Sequence, residues 1–262
     1  MLYISCPAEL SRHRAMNRWK AATLHLSISF LLASTIAAVL YFLWFPSPYF
    51  IAGGASKLIM VLMGVDIGIG PLLTLIVASP RKSRKLLRLD LSVIAVMQTI
   101  AFIYGVHAIA AARPVFVVAE VDRLVLVPAN ALTDADLAQG SQPTFRTRSW
   151  IGPVLVGAIP PKGNEGIKIA EQTIRGGKDI DQLPKYYVPY DQVIGNVMHR
   201  ARLLSQLKNA TVHQRVRLEQ LQTEVDDGIL LALPLQRGEQ SYTAIMSPKS
   251  KRPIRILPID PW

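Results

Sequence analysis

The sequence predicts an α-helical membrane bundle of three transmembrane helices followed by an α+β extracytoplasmic domain. Three observations lead there. Apolar residues and charges are segregated along the chain, basic residues gather at one end of the apolar runs, and the second half alternates like an ordinary globular core. The 262 residues are 50% hydrophobic and carry a formal net charge of +11, with a mean hydropathy of +0.28. The predicted parts are a basic cytoplasmic N-terminus (1–22), a transmembrane domain (23–112) and a periplasmic domain (113–262).

The apolar runs cover about 23–45, 58–78 and 91–111. Each is close to the roughly 20 residues that about 30 Å of hydrocarbon requires. Three buried helices of a soluble protein would show periodic polar faces, and these runs do not. The first run is too long for the apolar region of a cleavable signal, roughly 7 to 15 residues, although AGGAS at 52–56 offers small side chains. It reads as an anchor.

Positive charge sets the orientation. Arg12, Arg14, Arg18 and Lys20 precede the first run, and Arg81, Lys82, Arg84, Lys85 and Arg88 fill the loop between the second and third. The intervening PSPYFIAGGASK holds only Lys57. The N-terminus and the basic loop are therefore expected in the cytoplasm, and three crossings leave the C-terminal domain outside, in a bacterium the periplasm. Tyr41, Trp44, Phe45, Tyr49 and Phe50 are expected to form an interfacial aromatic belt. Through Asp90 there are ten basic residues against three acidic ones, so seven of the eleven net charges belong to the membrane part. That distribution argues against a nucleic-acid-binding face on the folded domain. Cys6 is the only cysteine, so the outer domain folds without a disulfide. YISC, ending at Cys6, lacks the preceding apolar run of a lipoprotein signal.

The second run carries Asp66 and Pro71. A carboxylate at mid-membrane costs about 2.5–3.5 kcal/mol on insertion scales, so Asp66 is expected to face protein. At about 1.5 Å per residue, Ser34, Thr35 and Tyr104 fall at its depth and Gln98 at that of Pro71. Pro71 leaves the Ile67 carbonyl without its helical donor, a place for the Gln98 amide. Gly64 and Gly68 form a small-xxx-small pair that permits close backbone approach. Asp66, Pro71, Gln98, Tyr104, Ser34 and Thr35 thus read either as polar stitching of the bundle or as a face that receives another protein's helix. An ion path is a third reading, without a second carboxylate to support it.

In the C-terminal half, VFVVAEVDRLVLVPA (115–129) reads as one or two strands and PVLVGAIP as another. Thr133 caps a short helix through LTDADLAQ, and GIKIAEQTIRGG is a helix with a glycine stop. DQVIGNVMHRARLLSQLK is a longer helix with Ile194, Val197, Ala201, Leu204 and Leu207 on one side; TVHQRVRLEQLQTEVDD continues it after a break. ILLALPLQ, YTAIMS and PIRILPI close the chain as a small antiparallel sheet, with the terminal tryptophan docked. About 150 residues suffice for an independent core.

This half offers no chemistry. It lacks a nucleophile elbow, a glycine-rich phosphate loop and paired cysteines. His199 and His213 have no third ligand nearby, and Asp179, Asp181 and Asp191 lack a partner base or metal-loop spacing. No enzyme activity and no cofactor or metal is expected. LPKYYVPYDQV (183–193) interleaves Tyr186, Tyr187 and Tyr190 with prolines, a composition suited to protein recognition and equally to clamping a loop onto a sheet.

RWKAATLHLSIS in the first helix, PYF at 48–50, GVDIGIGPLLTLIV at 64–77 and YG at 104–105 resemble the membrane part of the TfpX/TfpZ family of type IV pilin accessory proteins. ARPVFVVAEVDR (112–123), LPKYYVPY (183–190) and the terminal DPW resemble its outer domain. The likeness runs from about Met16 onward, which makes Met16 a candidate start. It implies a non-enzymatic inner-membrane protein whose partners are the major type IV pilin, the pilus assembly machinery and the lipid bilayer. A pilin waits in that membrane with one apolar helix and a periplasmic head. The bundle would then hold the pilin helix at Gly64, Asp66 and Gly68, and the domain would meet the head through Tyr186, Tyr187 and Tyr190. A membrane sensor with a ligand-binding periplasmic domain is the alternative, though the short cytoplasmic segments offer no output domain. A small transporter ranks third.

Overall fold

The computed structural model describes residues 18–78, 82–225 and 227–261. The expectations for Arg12, Arg14, Met16, Cys6, Arg81 and Trp262 lie outside the described residues. Three helices are long and apolar enough to cross a membrane: Trp19–Trp44, Ala55–Val77 and Lys85–Ala112. They match the three apolar runs, extended at their ends.

The chain divides into two compact units, Met1–Ser34 with Leu62–Ile103, and Thr35–Val61 with Tyr104–Trp262. The first of these helices is α1 (Arg18–Val39), which widens into a π-helical end at Leu40–Trp44. The second is broken in three: α2 (Ala55–Met63), a π-helical turn Gly64–Ile69, and α3 (Gly70–Val77). The third is α4 (Arg84–Ala112), near whose start Lys82 pairs with Asp90 at 2.6 Å. In the wide turn the Gly70 N–H donates to the Val65 carbonyl, five residues back. Pro71 then falls in the first turn of α3, where a missing N–H costs nothing. The chain accommodates the proline by widening the helix rather than by borrowing a side-chain donor.

The second unit is built on one eight-stranded sheet. Its strands are β1 (Pro114–Glu120), β2 (Arg123–Pro128), β3 (Val154–Ala158), β4 (Tyr187–Pro189), β5 (Arg202–Leu203), β6 (Leu231–Arg237), β7 (Gln240–Met246) and β8 (Pro253–Leu257). The order is β4-β3-β1-β2-β6-β7-β8, with β5 beside β6. β1 pairs parallel with β3, and β2 parallel with β6; the other pairs are antiparallel. The closing strands therefore extend a mixed sheet instead of forming a separate antiparallel one.

β1 is buried along its whole length. Alternation sends Val117 and Ala119 to one core and Phe116 and Val118 to the other. A strand covered on both faces needs a continuous apolar run, which accounts for the sequence PVFVVA. One face is covered by α7 (Asp191–Met198) through Val193, Ile194 and Val197. The other packs against α5 (Asp134–Ala138), Phe145 and Ile180. A third cluster gathers Leu207, Leu218 of α8 (Val212–Glu224), Leu230 and Ile245.

The local signals read correctly at the caps. Thr133 and Asp136 close a reciprocal capping box at α5, as Thr211 and Gln214 do at α8. The helix α6 (Asn164–Ile174) stops at Gly176, whose φ is +83°. There the Gly177 N–H reaches the Gln172 carbonyl and the Gly176 N–H that of Thr173, the paired bonds of a glycine stop.

One helix is shorter than its pattern. The run expected through Lys208 ends at Met198, and Ala201, Leu204 and Leu207 leave it. β2 bonds β6 only at Leu235 and Gln236, so the start of the same edge is open. Arg202 and Leu203 fill it against Ala232 and Leu231. Strand pairing outcompetes helical spacing there.

The turn between the first two apolar helices is part of the domain core. Phe45, Ala52 and Ala55 have no exposed surface, and Tyr49 and Ala52 pack with Val117, Leu124 and Leu235. The Gly152 N–H donates to the Leu43 carbonyl at 2.6 Å, and Trp44 lies 6.2 Å from Trp150 between ring centres. The expected aromatic belt is therefore corrected: Phe45 and Tyr49 are core residues, while Tyr41 stays exposed against Phe42 and Phe50. Removing the Tyr49 ring should cost about 3–5 kcal/mol, the range for emptying an aromatic core site. Tyr49→Ala is expected to lower the thermal midpoint and protease resistance of the solubilised protein. Ile51→Ala, at a residue 48% exposed, should leave both within error.

Candidate functional site

A cavity of about 430 Å³ lies inside the first unit, walled by α1, the π-helical turn, α3 and α4. Most of its wall is aliphatic, and its polar groups are His25, Ser29, Asp66, Thr74, Gln98 and Thr99. His25 Nδ1 and Thr74 Oγ1 are hydrogen-bonded at 2.6 Å. The Thr99 hydroxyl is spent on the Ala95 carbonyl of its own helix. Asp66 is 6% exposed, and its Oδ2 has no hydrogen-bond partner among the described residues; the same holds for Gln98 Oε1. Both orphan atoms are acceptors. A buried polar group must be satisfied by protein or trapped water, so the cavity is a place that takes hydrogen-bond donors.

Local sequence explains the placement. The π-helical turn rotates Asp66 inward while Gly64 and Gly68 stay on the exposed side. Among the described residues, no atom beyond their chain neighbours and own helix backbone lies within 4 Å of a β-carbon built on either glycine. This corrects one expectation: Asp66 does not share a face with the glycine pair. Gly70, not Gly64 or Gly68, is the glycine packed tightly here; a methyl group on it would come 1.8 Å from Gln98 Nε2.

Of the expected polar network, Asp66 and Gln98 line the cavity, and the buried Pro71 begins the helix beside it. Ser34, Thr35 and Tyr104 are not in its wall; all three are exposed, Tyr104 by 74%. Equal depth along straight helices says nothing about azimuth, and azimuth separates these residues from the carboxylate. His25 was missed by the sequence reading. A histidine within the first apolar run, seven residues beyond Arg18, was the available signal.

The tyrosine segment divides as well. Tyr187 is 1% exposed, packs edge-on against Phe116 and Phe145, and donates its hydroxyl to the Asp181 carbonyl. Tyr190 is 7% exposed and donates to the Lys251 carbonyl at 2.7 Å. Burial raises both phenols above their usual range. Tyr187 and Tyr190 are thus core pillars, not a recognition surface. Only Tyr186 reaches solvent, donating to Glu165 under the Lys185 ammonium, 4.5 Å from its ring centre. Among the described residues no group of three or more His, Cys, Asp or Glu is arranged to hold a metal ion.

Residues 13–54 match the family model for the fimbrial assembly protein FimB. The matched stretch contains His25 of the cavity and Tyr49 and Ala52 of the core. The chain is similar to the fimbrial assembly protein of serogroup I from Dichelobacter nodosus, with 33% identity over 235 residues, 87% of this chain and 91% of that one. The serogroup E1 protein of the same organism is 31% identical over 234 residues, again 87% and 91%. The protein of serogroups C1 and C2 is 36% identical over 126 residues, 48% of this chain and 96% of its own. No solved structure matches.

An orphan acceptor carries a penalty of about 1–3 kcal/mol. Asp66→Leu is therefore expected to leave the thermal stability of the solubilised protein unchanged or raise it within that range. Thr74→Val, which strips His25 of its partner, should lower it by about 0.5–1.5 kcal/mol.

Proposed function

This chain belongs to the fimbrial assembly protein family, and on that premise we propose that it serves type IV pilus biogenesis as a non-enzymatic accessory factor of the bacterial inner membrane. Its partner is the pilin before assembly, and its task is to keep that pilin stable or present it for assembly and display. The N-terminus and the basic end made by Lys82 with Lys85 and Arg88 of the first turns of α4 face the cytoplasm, and the sheet domain faces the periplasm.

The observation that carries this reading is the burial of Tyr49 and Ala52 in the core of the sheet domain. A turn and a domain that share a core must lie on one side of the bilayer. Three crossings with a cytoplasmic N-terminus deliver that arrangement. Membrane and periplasmic parts then act on one client together, as a pilin with an apolar helix and a soluble head requires.

Laterally, the open pair Gly64 and Gly68 takes the backbone of the client helix, since among the described residues nothing beyond its own helix covers it. Asp66, turned away from that pair, supplies an acceptor inside the cavity. On the domain, Tyr186 beside Glu165 and Lys185 offers the one accessible ring of the tyrosine segment.

Two measurements test the reading. A reporter fused at the C-terminus should be active only in the periplasm; activity in the cytosol would remove the client-head contact. The double variant Gly64→Leu, Gly68→Leu should retain wild-type abundance and thermal stability, because its side chains meet open space. It should nevertheless lower surface pili at least tenfold, and photocrosslinking from position 64 or 68 to pilin should fall with it. Normal piliation in that variant would refute the lateral site.

A further inference from the structure

The second unit holds a cleft of about 910 Å³ that the pilin reading does not use. One side is formed by the turn between β1 and β2 and the turn between β6 and β7; the other is formed by α6 and the loop after it. Five carboxylates line it: Glu120, Asp122, Asp179, Asp181 and Glu239. Arg123 is its one lining cation, and that guanidinium is engaged with Asp122 Oδ1 and Gln236 Oε1, both at 2.9 Å.

Two of these acids are interior. Glu120 and Asp181 are each 8% exposed, and Glu120 Oε2 has no hydrogen-bond partner among the described residues. Burial, then the charges of Asp181 and Asp179, push Glu120 up to about 8. Burial, then Asp179, push Asp181 up to about 6. An acid left unpaired in its own fold is costly unless something outside the chain compensates it.

The α6 part of the opposite side is apolar and uncovered. None of the residues of α6 is buried. Ile169 and Ala170 face the cleft, and Ile167 and Ile174 stand 59% and 86% exposed on the same helix. A metal ion would use the acids and leave this wall idle. A long side chain bearing a cation, flanked by apolar neighbours, uses both.

We propose that the cleft is a docking site for a polypeptide segment of a partner protein, carrying an arginine or lysine whose head meets Glu120 and whose apolar neighbours lie along Ile169 and Ala170. The cation supplies the missing donor to Glu120 Oε2 and offsets the repulsion among Glu120, Asp179 and Asp181. Because Glu120 must ionise to pair, binding releases a proton. Affinity therefore rises between pH 6 and pH 9, with Asp122, Asp179, Asp181, Glu239 and Arg123 as the charged neighbours that shape the profile. The unliganded protein shows the converse. An acid whose folded value lies above its unfolded one binds more protons when folded, so stability declines as pH rises from about 4.5 to about 8. Glu120→Gln should flatten that decline.

The test uses the full chain in neutral detergent micelles, titrated with a fluorescent capped peptide of one arginine between leucines. A matched peptide carries glutamate in place of the arginine, and empty micelles correct for partitioning. Saturable binding at least tenfold tighter for the arginine peptide is expected, weakened at least tenfold by Glu120→Gln with Asp181→Asn. Ile169→Ser should weaken it severalfold. Thermal unfolding of each variant checks that the domain is intact; loss of the relieved acids should not lower its midpoint at pH 8. Equal binding of the two peptides, unchanged affinity in the Glu120 and Asp181 variant, or calcium alone occupying the cleft while the arginine peptide stays free would each overturn the proposal. None of these readouts depends on whether pilin contacts Gly64 and Gly68.

Discussion

The burial of Tyr49 and Ala52 against Val117, Leu124 and Leu235 is the contact on which the rest of the second unit depends. It turns the ten-residue connection between two apolar helices (45–54) into a piece of a sheet core. The flanking groups reinforce it: Arg237 reaches the Ala52 carbonyl at 3.5 Å, and Gly54, at φ +72°, leaves room for that guanidinium. A side chain on Gly152 would strike Pro46. Aliphatic packing, a backbone bond and two glycines that admit close approach converge on the same short segment. Burial of Tyr49 raises its phenol well above the ordinary range, as expected for a ring cut off from water.

The sheet is mixed because of how the chain returns to it. A domain that begins directly after a long helix must start its first strand at Pro114, with little chain to spare. β1 takes the centre, pairs with β2 through a tight turn, and is covered on both faces by later segments. The parallel contacts of β1 with β3 and of β2 with β6 follow from returning chain that crosses over helices and loops. Gly157 on β3 shows how closely α7 then approaches, since a β-carbon there would sit 2.6 Å from Val193 Cγ2.

Polar groups in the two units obey opposite economies. Near the domain surface, cations and acids pair freely, as Lys178 does with Asp136 and Lys185 with Glu165, and contribute little. Among the described residues of the helical unit, two buried polar atoms, on Asp66 and Gln98, are left without partners. A fold does not keep such atoms for stability. Such unfilled acceptors make the cavity the place in this unit where an added hydrogen-bond donor would be stabilising.

Much was legible from order along the chain. The three apolar runs, the cap at Thr133, the glycine stop at Gly176 and most strands are local properties, set by side-chain transfer energies and backbone hydrogen bonding within a few residues. What only tertiary structure decided were questions of direction and competition. Whether Tyr187 and Tyr190 point in or out, whether Asp66 shares a face with Gly64, and whether Leu204 continues a helix or leaves it depend on what lies opposite. Depth along a helix follows from counting residues. Azimuth does not, because the π-helical turn ahead of Pro71 changes the rotation per residue, and no count along a straight α-helix contains it.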